Sequence, residues 1–152
     1  MGVQTLGVVA TNAERARLYY RFRPPRVELG ADPDLSTHRA YGLPQSGVAP
    51  EIVQILQSKV GGFARERGLQ VPDAEAKAAL NQLDGFEPTE SDSAEAQRHQ
   101  VQFVGQFLVD REGVVRWANV ECAKEGLAGI ETFPTDEELL AAARALYSPK
   151  PA

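Results

Sequence analysis

Few residues in this sequence have side chains suited to covalent or redox chemistry, and Cys122 is the first to consider. It is the single cysteine, so no disulfide can form within the chain. Lys124 would favour its thiolate, but Glu121 and Glu125 oppose it, and no capped helix start points at the sulfur. We therefore expect Cys122 to be a half-buried structural thiol, and the sequence leaves the catalytic residues unassigned.

The two histidines, His38 and His99, are the next candidates. Neither has a cysteine or a second histidine at the spacing of a zinc site. His38 falls in a short predicted helix, where we expect a surface or capping role rather than general-base catalysis. A Gly-x-Ser-x-Gly nucleophile segment and glycine-rich phosphate loops are also missing. The sequence therefore predicts no bound metal ion and no cofactor.

An arginine cluster near the N-terminus admits two interpretations. It is either a solvated helix face or a surface for phosphate or carboxylate groups, including those of a second copy in a dimer. Its members are Arg15, Arg17, Arg21, Arg23 and Arg26. The chain has 16 basic and 21 acidic residues and a formal charge of -5, which weakens attraction to polyanions. We expect no nucleic-acid partner and no membrane partner.

Length and composition predict one domain over residues 1–152, located in the cytoplasm. A chain of 152 residues, 43% of them hydrophobic, is long enough to bury a core without cross-links. The N-terminal residues carry no secretory or myristoylation signal. No apolar stretch approaches the roughly 20 residues that cross a bilayer. The single cysteine also suits a reducing compartment.

The elements available to position a site begin with a strand and a helix. Residues 5–10 form an apolar run typical of a strand covered on both faces, and Thr11 or Asn12 can cap the following helix. Pro24-Pro25 ends that helix, and the alternation over residues 26–30 predicts a strand near a sheet edge. This order is the start of an α/β fold.

The middle of the chain has a different composition and is predicted to be a helical insertion over about residues 45–100. Before it, Asp34 is expected to cap a short helix that ends at Gly42 in a left-handed conformation. Within the insertion, the patterns indicate an apolar stripe over 52–60 after Pro50, an interruption at Gly61-Gly62, a helix over 73–83, and either a helix or a loop over 89–97.

The C-terminal part carries the strongest local signals. Two β-rich runs, residues 106–110 and 114–120, are joined by an Asp-x-x-Gly turn, which predicts a hairpin with Gly113 at positive φ. Thr135 and Glu138 have the spacing of a capping box. They predict a terminal helix that Pro149 ends.

The order of these segments resembles the alkyl hydroperoxide reductase and thiol-specific antioxidant family, the redoxins. The residues that carry the resemblance are Gly7-Val8-Val9-Ala10-Thr11, Gly30-Ala31-Asp32-Pro33-Asp34, Arg39-Ala40-Tyr41-Gly42 and the segment from Phe107 to Arg116. The resemblance implies a thioredoxin-like α/β fold with a mixed sheet, a C-terminal hairpin and helix, and thiol-dependent reduction of peroxides or disulfides. It skips the insertion.

The reactive segment of that family is missing from this chain. Redoxins carry Pro-x-x-x-Thr/Ser-x-x-Cys or Cys-x-x-Cys at a helix N-terminus, which lowers the thiol pKa. In the family this segment, and the strand before it, precede the strand that residues 6–10 resemble. The resemblance thus implies an incomplete sheet without its central strand, in a protein that is truncated or catalytically degenerate as given.

A missing central strand leaves sheet edges without partners, and such edges invite pairing. The first strand could join residues 107–109 as an antiparallel pair, or the chain could form a homo-oligomer through an exposed edge, which we favour. The alternative to a redoxin is a non-enzymatic, homo-oligomeric interaction module that uses these edges and the stripe over 52–60. A further alternative is a carrier of a small ligand, held in a cavity between the insertion and the sheet. The sequence defines no substrate.

Overall fold

Two compact units make up the chain, which is a mixed α/β protein. The computed structural model describes residues 2–146. One unit comprises residues 5–102, and the other comprises residues 103–146 together with 2–4. The prediction of one domain over residues 1–152 stays a prediction.

The first unit begins with a strand, a helix and a parallel strand, as the sequence predicts. β1 is Leu6–Val9, α1 is Ala13–Phe22 and β2 is Glu28–Ala31. The two strands pair in parallel, with Leu6 opposite Glu28 at one end. The sequence predicted either Thr11 or Asn12 as the cap of α1. Asn12 is the cap, because its side chain accepts from the Arg15 amide at 2.8 Å.

The expectation that the first strand is covered on both faces is wrong. Leu6 is 64% exposed, and the remaining residues of β1 are half-buried. The reason is that β1 and β2 form a sheet of only two strands, which offers few neighbours to cover the second face.

The short helix α2, Ser36–Ala40, is capped by Asp32 rather than by the predicted Asp34. The Asp32 carboxylate accepts hydrogen bonds from the amides of Ser36 and Thr37, at 2.9 and 2.8 Å. Leu35 stands immediately before the helix with a φ of 56° and is 3% exposed. The buried Leu35 therefore adopts a left-handed backbone conformation. With this turn before the helix, the carboxylate that reaches the first amides of α2 is that of Asp32, two residues before Asp34. Gly42 has a φ of 68°, as predicted.

Three helices form the insertion. They are α3 (Pro50–Glu66), α4 (Asp73–Asp84) and α5 (Glu90–His99). α3 and α4 share a core of Ala64, Ala76 and Leu80, around which Val60, Leu69 and Val71 pack. The predicted interruption at Gly61-Gly62 does not occur, because both glycines lie inside α3 and the first of them stands where α4 approaches closely. The segment that fitted either a helix or a loop is α5, which starts with a capping box of Thr89 and Asp92.

A short antiparallel pair joins the two ends of the insertion. β3 is Gln45–Ser46 and β4 is Val101–Gln102, with Ser46 opposite Val101. The sequence analysis did not predict this pair, since two-residue strands leave no periodic signal.

Aromatic and ionic contacts hold the insertion against α1. Phe86 meets Tyr19 and Phe22 edge to face, with ring centroids 5.2 and 5.8 Å apart. Arg23 donates to Asp84 at 2.5 Å, so that the end of α4 is tied to the end of α1. The insertion is therefore packed on α1 rather than projecting from it.

The second unit holds the predicted hairpin and terminal helix. β5 (Gly105–Val109) and β6 (Val115–Val120) are antiparallel, and Gly113 in their turn has a φ of 79°. A short 3₁₀ helix, Gly126–Gly129, follows. α6 (Asp136–Ala145) begins with the predicted Thr135–Glu138 capping box, whereas its predicted end at Pro149 lies outside the described residues.

The prediction of one mixed sheet is wrong for the described part of the chain. Its strands form three separate two-stranded sheets: β1 with β2, β3 with β4, and β5 with β6. The antiparallel pair of the first strand with residues 107–109, one of the two alternatives, is not formed among the described residues. β1 instead pairs with β2 through the α1 crossover, β5 pairs with β6 across a tight turn, and β3 pairs with β4 across the whole insertion.

Candidate functional site

The first unit contains a cleft at the carboxyl end of β1. Its volume is about 410 Å³, within the range of small-molecule sites, and it lies between α1 and α5. Its lining includes Val9, Ala10, Thr11, Arg15, Ala16, Tyr19, Tyr20, Asp92, Glu95, Ala96, His99, Gln100 and Gln102. The carboxyl end of a parallel strand, next to a helix start, is a common place for ligands in α/β proteins.

Glu95 of α5 is the central acid of this cleft. Its carboxylate accepts from the Thr11 hydroxyl at 2.5 Å and from the Asn12 amide at 3.5 Å. Thr11 ends the turn after β1, and Asn12 caps α1, so these bonds connect the insertion to the first βα turn. Both donors are uncharged, and the charge of Glu95 therefore has no counter-charge among its described partners.

Arg15 and Asp92 form an ion pair on the adjoining wall. The guanidinium donates through Nε and Nη2 to the two oxygens of Asp92, the bidentate geometry that arginine and carboxylates favour. Arg15 holds the pKa of Asp92 below its usual value, although burial opposes this shift. Asp92 also accepts from the Thr89 amide at 2.6 Å. Arg15 is thus committed to a fixed partner.

Two tyrosines and a histidine complete the cleft. Tyr19 and Tyr20 meet edge to face with ring centroids 5.1 Å apart. The pKa of Tyr20 is raised mainly by burial and, to a smaller extent, by the neighbouring Tyr19. His99 is 7% exposed, and its Nε2 lies 3.2 Å from Nη2 of Arg98. Because a guanidinium can only donate, Nε2 of His99 is the acceptor in this contact.

Cys122 lies in the second unit, immediately after β6, and is half-buried as expected. Burial, with the charges of Glu121 and Glu125, raises the pKa of its thiol. These surroundings disfavour the thiolate, which is the nucleophilic form. The buried Glu121 carboxylate has a structural role, since it accepts from the amides of Val104 and Glu131 at 2.7 and 2.5 Å.

His38 is more buried than the sequence analysis expected. Only 14% of its side chain is exposed, and its Nδ1 is buried without a hydrogen-bond partner among residues 2–146, 3.7 Å from Oδ2 of Asp32. The surface or capping role predicted for His38 is therefore wrong. The reason is again that Asp32, not Asp34, caps α2 and draws the helix inward against that carboxylate.

The arginine cluster divides into two groups. Arg15 and Arg23 are paired with Asp92 and Asp84, whereas Arg17, Arg21 and Arg26 are exposed. Of the two interpretations, this distribution agrees with a solvated helix face. The exceptions are Arg15 and Arg23, which form ion pairs with residues of the insertion.

Within residues 2–146, no group of three or more His, Cys, Asp or Glu side chains is arranged to hold a metal ion. None of the helices described is both long enough and apolar enough to span a bilayer. The cytoplasmic location stays a prediction.

Thr11, Arg15 and His99 were named from the sequence in other roles, but Asp92 and Glu95, the two acids of the cleft, were not. Glu95 lies 84 positions from Thr11, and such a pair leaves no local spacing to recognise. The one available signal was Thr89 followed by Asp92, which is the spacing of a capping box and indicates that α5 is a helix. The suggested cavity between insertion and sheet is the nearest sequence-based expectation to this cleft.

Comparison with protein-family models, with curated proteins and with solved structures found no match to this chain. The class that the described residues define is therefore that of a mixed α/β protein.

Proposed function

We propose that this protein is redoxin-like, of the thiol-dependent antioxidant type, and that the chain as given has no competent nucleophile. The supporting observation is where the four resembling segments fall. They lie on β1 and its turn, on β2 and the Asp32 turn, on the end of α2, and on the β5–β6 hairpin, in the family's order. The parallel pairing of β1 with β2 suits the α/β character of that family, whereas the separate β5–β6 sheet departs from the single sheet that the resemblance implies.

The degenerate character of the chain rests on its one thiol. The surroundings of Cys122 raise its pKa, whereas redoxin chemistry requires a lowered one. Its backbone also has a φ of 63°, so it stands in a tight turn rather than at the start of a helix. Cys122 consequently lacks the two features that activate a redoxin thiol.

A peroxidase assay tests the role of Cys122. Consumption of hydrogen peroxide in the presence of dithiothreitol is measured for the native protein and for Cys122→Ser. Both rates are expected to equal that of the protein-free mixture. Turnover by the native protein that disappears in Cys122→Ser would identify Cys122 as a nucleophile and contradict this part of the proposal.

The nucleotides before the Met1 codon test the family assignment. An in-frame Thr-x-x-Cys or Cys-x-x-Cys encoded there gives an extended product to express and assay. The proposal expects this product to reduce a peroxide or a disulfide, and the activity to vanish when that cysteine becomes serine. An extended product that carries the motif, folds, and reduces neither substrate would count against a redoxin.

A homo-oligomeric interaction module is the second candidate, and the open edge of β1 favours it. Among the described strands β1 pairs only with β2, and Leu6 is 64% exposed. The stripe over residues 52–60 no longer supports this candidate, because Ile52 is 2% exposed and the other apolar side chains of the stripe are half-buried. A dimer formed through the edge of β1 is expected to dissociate in Leu6→Lys.

Light scattering after size exclusion measures this effect. Val48→Lys is the control, since Val48 is 57% exposed and lies outside every strand. A monomeric mass for the native protein, at all concentrations that can be measured, excludes this second candidate.

A further inference from the structure

The charges lining the cleft between α1 and α5 do not balance. Arg15 is neutralised by Asp92, and Nε2 of His99 accepts from Arg98. Glu95 is bound only by the uncharged Thr11 and Asn12 within residues 2–146. One carboxylate therefore remains uncompensated, at a position half-shielded from water where charges interact more strongly than on an open surface.

An anionic ligand fits this cleft poorly. Arg15 is the one arginine or lysine in the lining, and its Nε–Nη2 edge is taken up by Asp92. An incoming carboxylate or phosphate could use that edge only by displacing Asp92. Elsewhere in the cleft it would meet two acids, Asp92 and Glu95, against one arginine.

The remaining lining combines apolar and aromatic side chains with the polar His99, Gln100 and Gln102. Tyr19 and Tyr20 present rings, and Ala16 and Ala96 face the cleft from the two helices. A ring or short hydrocarbon placed here would bury apolar surface, and a cation would also be attracted to the aromatic faces. The volume of about 410 Å³ admits a ligand larger than a metal ion or a water cluster.

We propose that this cleft binds a small organic cation with an apolar body, such as an arylalkylamine. The ammonium group donates to Glu95, and the body packs between the tyrosines and the two alanines. Thr11 and Asn12 hold the carboxylate in place for this contact. The proposal is independent of the redoxin assignment, because it uses no thiol and no residue of the second unit.

Three probes of equal shape and different charge test the proposal on the native protein. They are 2-phenylethylamine, 2-phenylethanol and 3-phenylpropanoate, titrated at neutral pH and low salt while backbone amide NMR signals are followed. The amine is expected to bind with a Kd of about 1 mM, which is typical of a ligand of this size. Its saturable shifts should centre on Thr11 and Ala96. The alcohol should bind at least about threefold more weakly, and the carboxylate should not saturate.

Variants assign the binding to Glu95. Glu95→Gln keeps an acceptor for Thr11 but removes the charge, and it should weaken amine binding at least about threefold. Glu90→Gln is the matched control, since Glu90 is an exposed acid on the same helix outside the cleft. If Glu95→Gln does not fold, the ranking of the three probes on the native protein decides.

Two results would overturn the proposal. One is equal affinity of the amine and the alcohol, which would show that charge has no part in binding. The other is the absence of saturable shifts at Thr11 and Ala96 up to roughly 10 mM amine, ten times the expected Kd. Weakening of amine binding by about 1 M salt, at which the Debye length is near 3 Å, would support an ion pair.

Discussion

The Asp73 carboxylate occupies the space in which a side chain at Gly61 would have to fit. A Cβ built on Gly61 would lie 1.9 Å from Oδ1 of Asp73 and 3.1 Å from its Cβ. Asp73 begins α4, and its Oδ1 accepts from Nη1 of Arg65 at 2.7 Å. At Gly62, by contrast, a Cβ would meet nothing closer than Arg65 Nη2 at 4.0 Å. The close packing of α3 on α4 therefore depends on the first of two adjacent glycines.

Alanine substitutions at these two positions should have opposite effects. Gly61→Ala is expected to lower the free energy of unfolding by about 1 to 3 kcal/mol, because overpacking outweighs the gain in helix propensity. Gly62→Ala has no clash and should raise the free energy of unfolding by up to about 1 kcal/mol. Urea unfolding followed by circular dichroism measures both. Equal effects of the two substitutions would argue against the close approach.

The cap of α2 should make stability depend on pH. Burial alone would raise the pKa of Asp32, but hydrogen bonds from the Ser36 hydroxyl and from the Thr37 and Ser36 amides hold it well below its usual range. The folded state therefore favours the carboxylate. Its stabilising effect is present above the unfolded-state pKa of about 3.9 and is lost as pH falls through the lower folded-state value.

Asp32→Asn is thus expected to lower stability at neutral pH and to flatten the loss of stability in acid. Urea unfolding between roughly pH 2 and pH 7 measures the difference. Asp34→Asn is the control, because Asp34 is exposed and its side chain does not cap α2. A larger effect of Asp34→Asn than of Asp32→Asn would restore the cap predicted from the sequence.

The capping box of α6 should contribute measurably to the second unit. The Thr135 hydroxyl accepts from the Glu138 amide at 3.2 Å, and the Glu138 carboxylate accepts from the Thr135 amide at 2.8 Å. Thr135→Ala is expected to cost about 1 kcal/mol. Thr132→Ala, which changes an exposed residue before the helix, should change stability by less than about 0.5 kcal/mol. Thermal unfolding compares the two variants, and indistinguishable midpoints would contradict the cap.

The Cys122 thiol should react slowly with alkylating agents. Its raised pKa leaves less thiolate at neutral pH than a free cysteine has, so iodoacetamide should modify it more slowly. The pKa of Cys122, read from the dependence of the rate on pH, should lie above that of a free cysteine measured in the same way. Glu125→Gln removes one of the charges responsible and should increase the rate at neutral pH. Glu112→Gln, an exposed acid in the hairpin turn, should leave it unchanged. A pKa of Cys122 below that of free cysteine would refute this account of the site.

Elements with a local cause could be predicted from the sequence. The hairpin depends on Asp110, which accepts from the amides of Glu112 and Val114, and on Gly113, all within one turn. The α6 cap spans four residues in the same way. The continuation of α3 through Gly61 was mispredicted because the glycine serves a contact with Asp73, twelve positions away. Strand partners likewise depend on distant segments, so the single mixed sheet was mispredicted.

The cleft could not be predicted from the spacing of residues either, because its contacts also join distant segments. Glu95 and Thr11 meet across 84 positions, and Arg15 and Asp92 across 77. Each is an ordinary polar residue on a helix or turn, and only the docking of α5 against α1 makes them neighbours. The direction of the Cys122 shift could be argued from its flanking acids, because charge acts over a few residues.

The pairing of Ser46 with Val101 shows how this chain could be shortened by an internal deletion. Because β3 and β4 are neighbours, the two ends of the segment between them lie close together. A tight turn could therefore replace this segment without stretching the backbone on either side. Such a shortened protein would keep the opening βαβ unit and expose the face of α1 that Phe86 and Asp84 now cover. The segment between these strands is in that sense a removable cover, and Asp92 and Glu95, the two acids that line the cleft, would be removed with it.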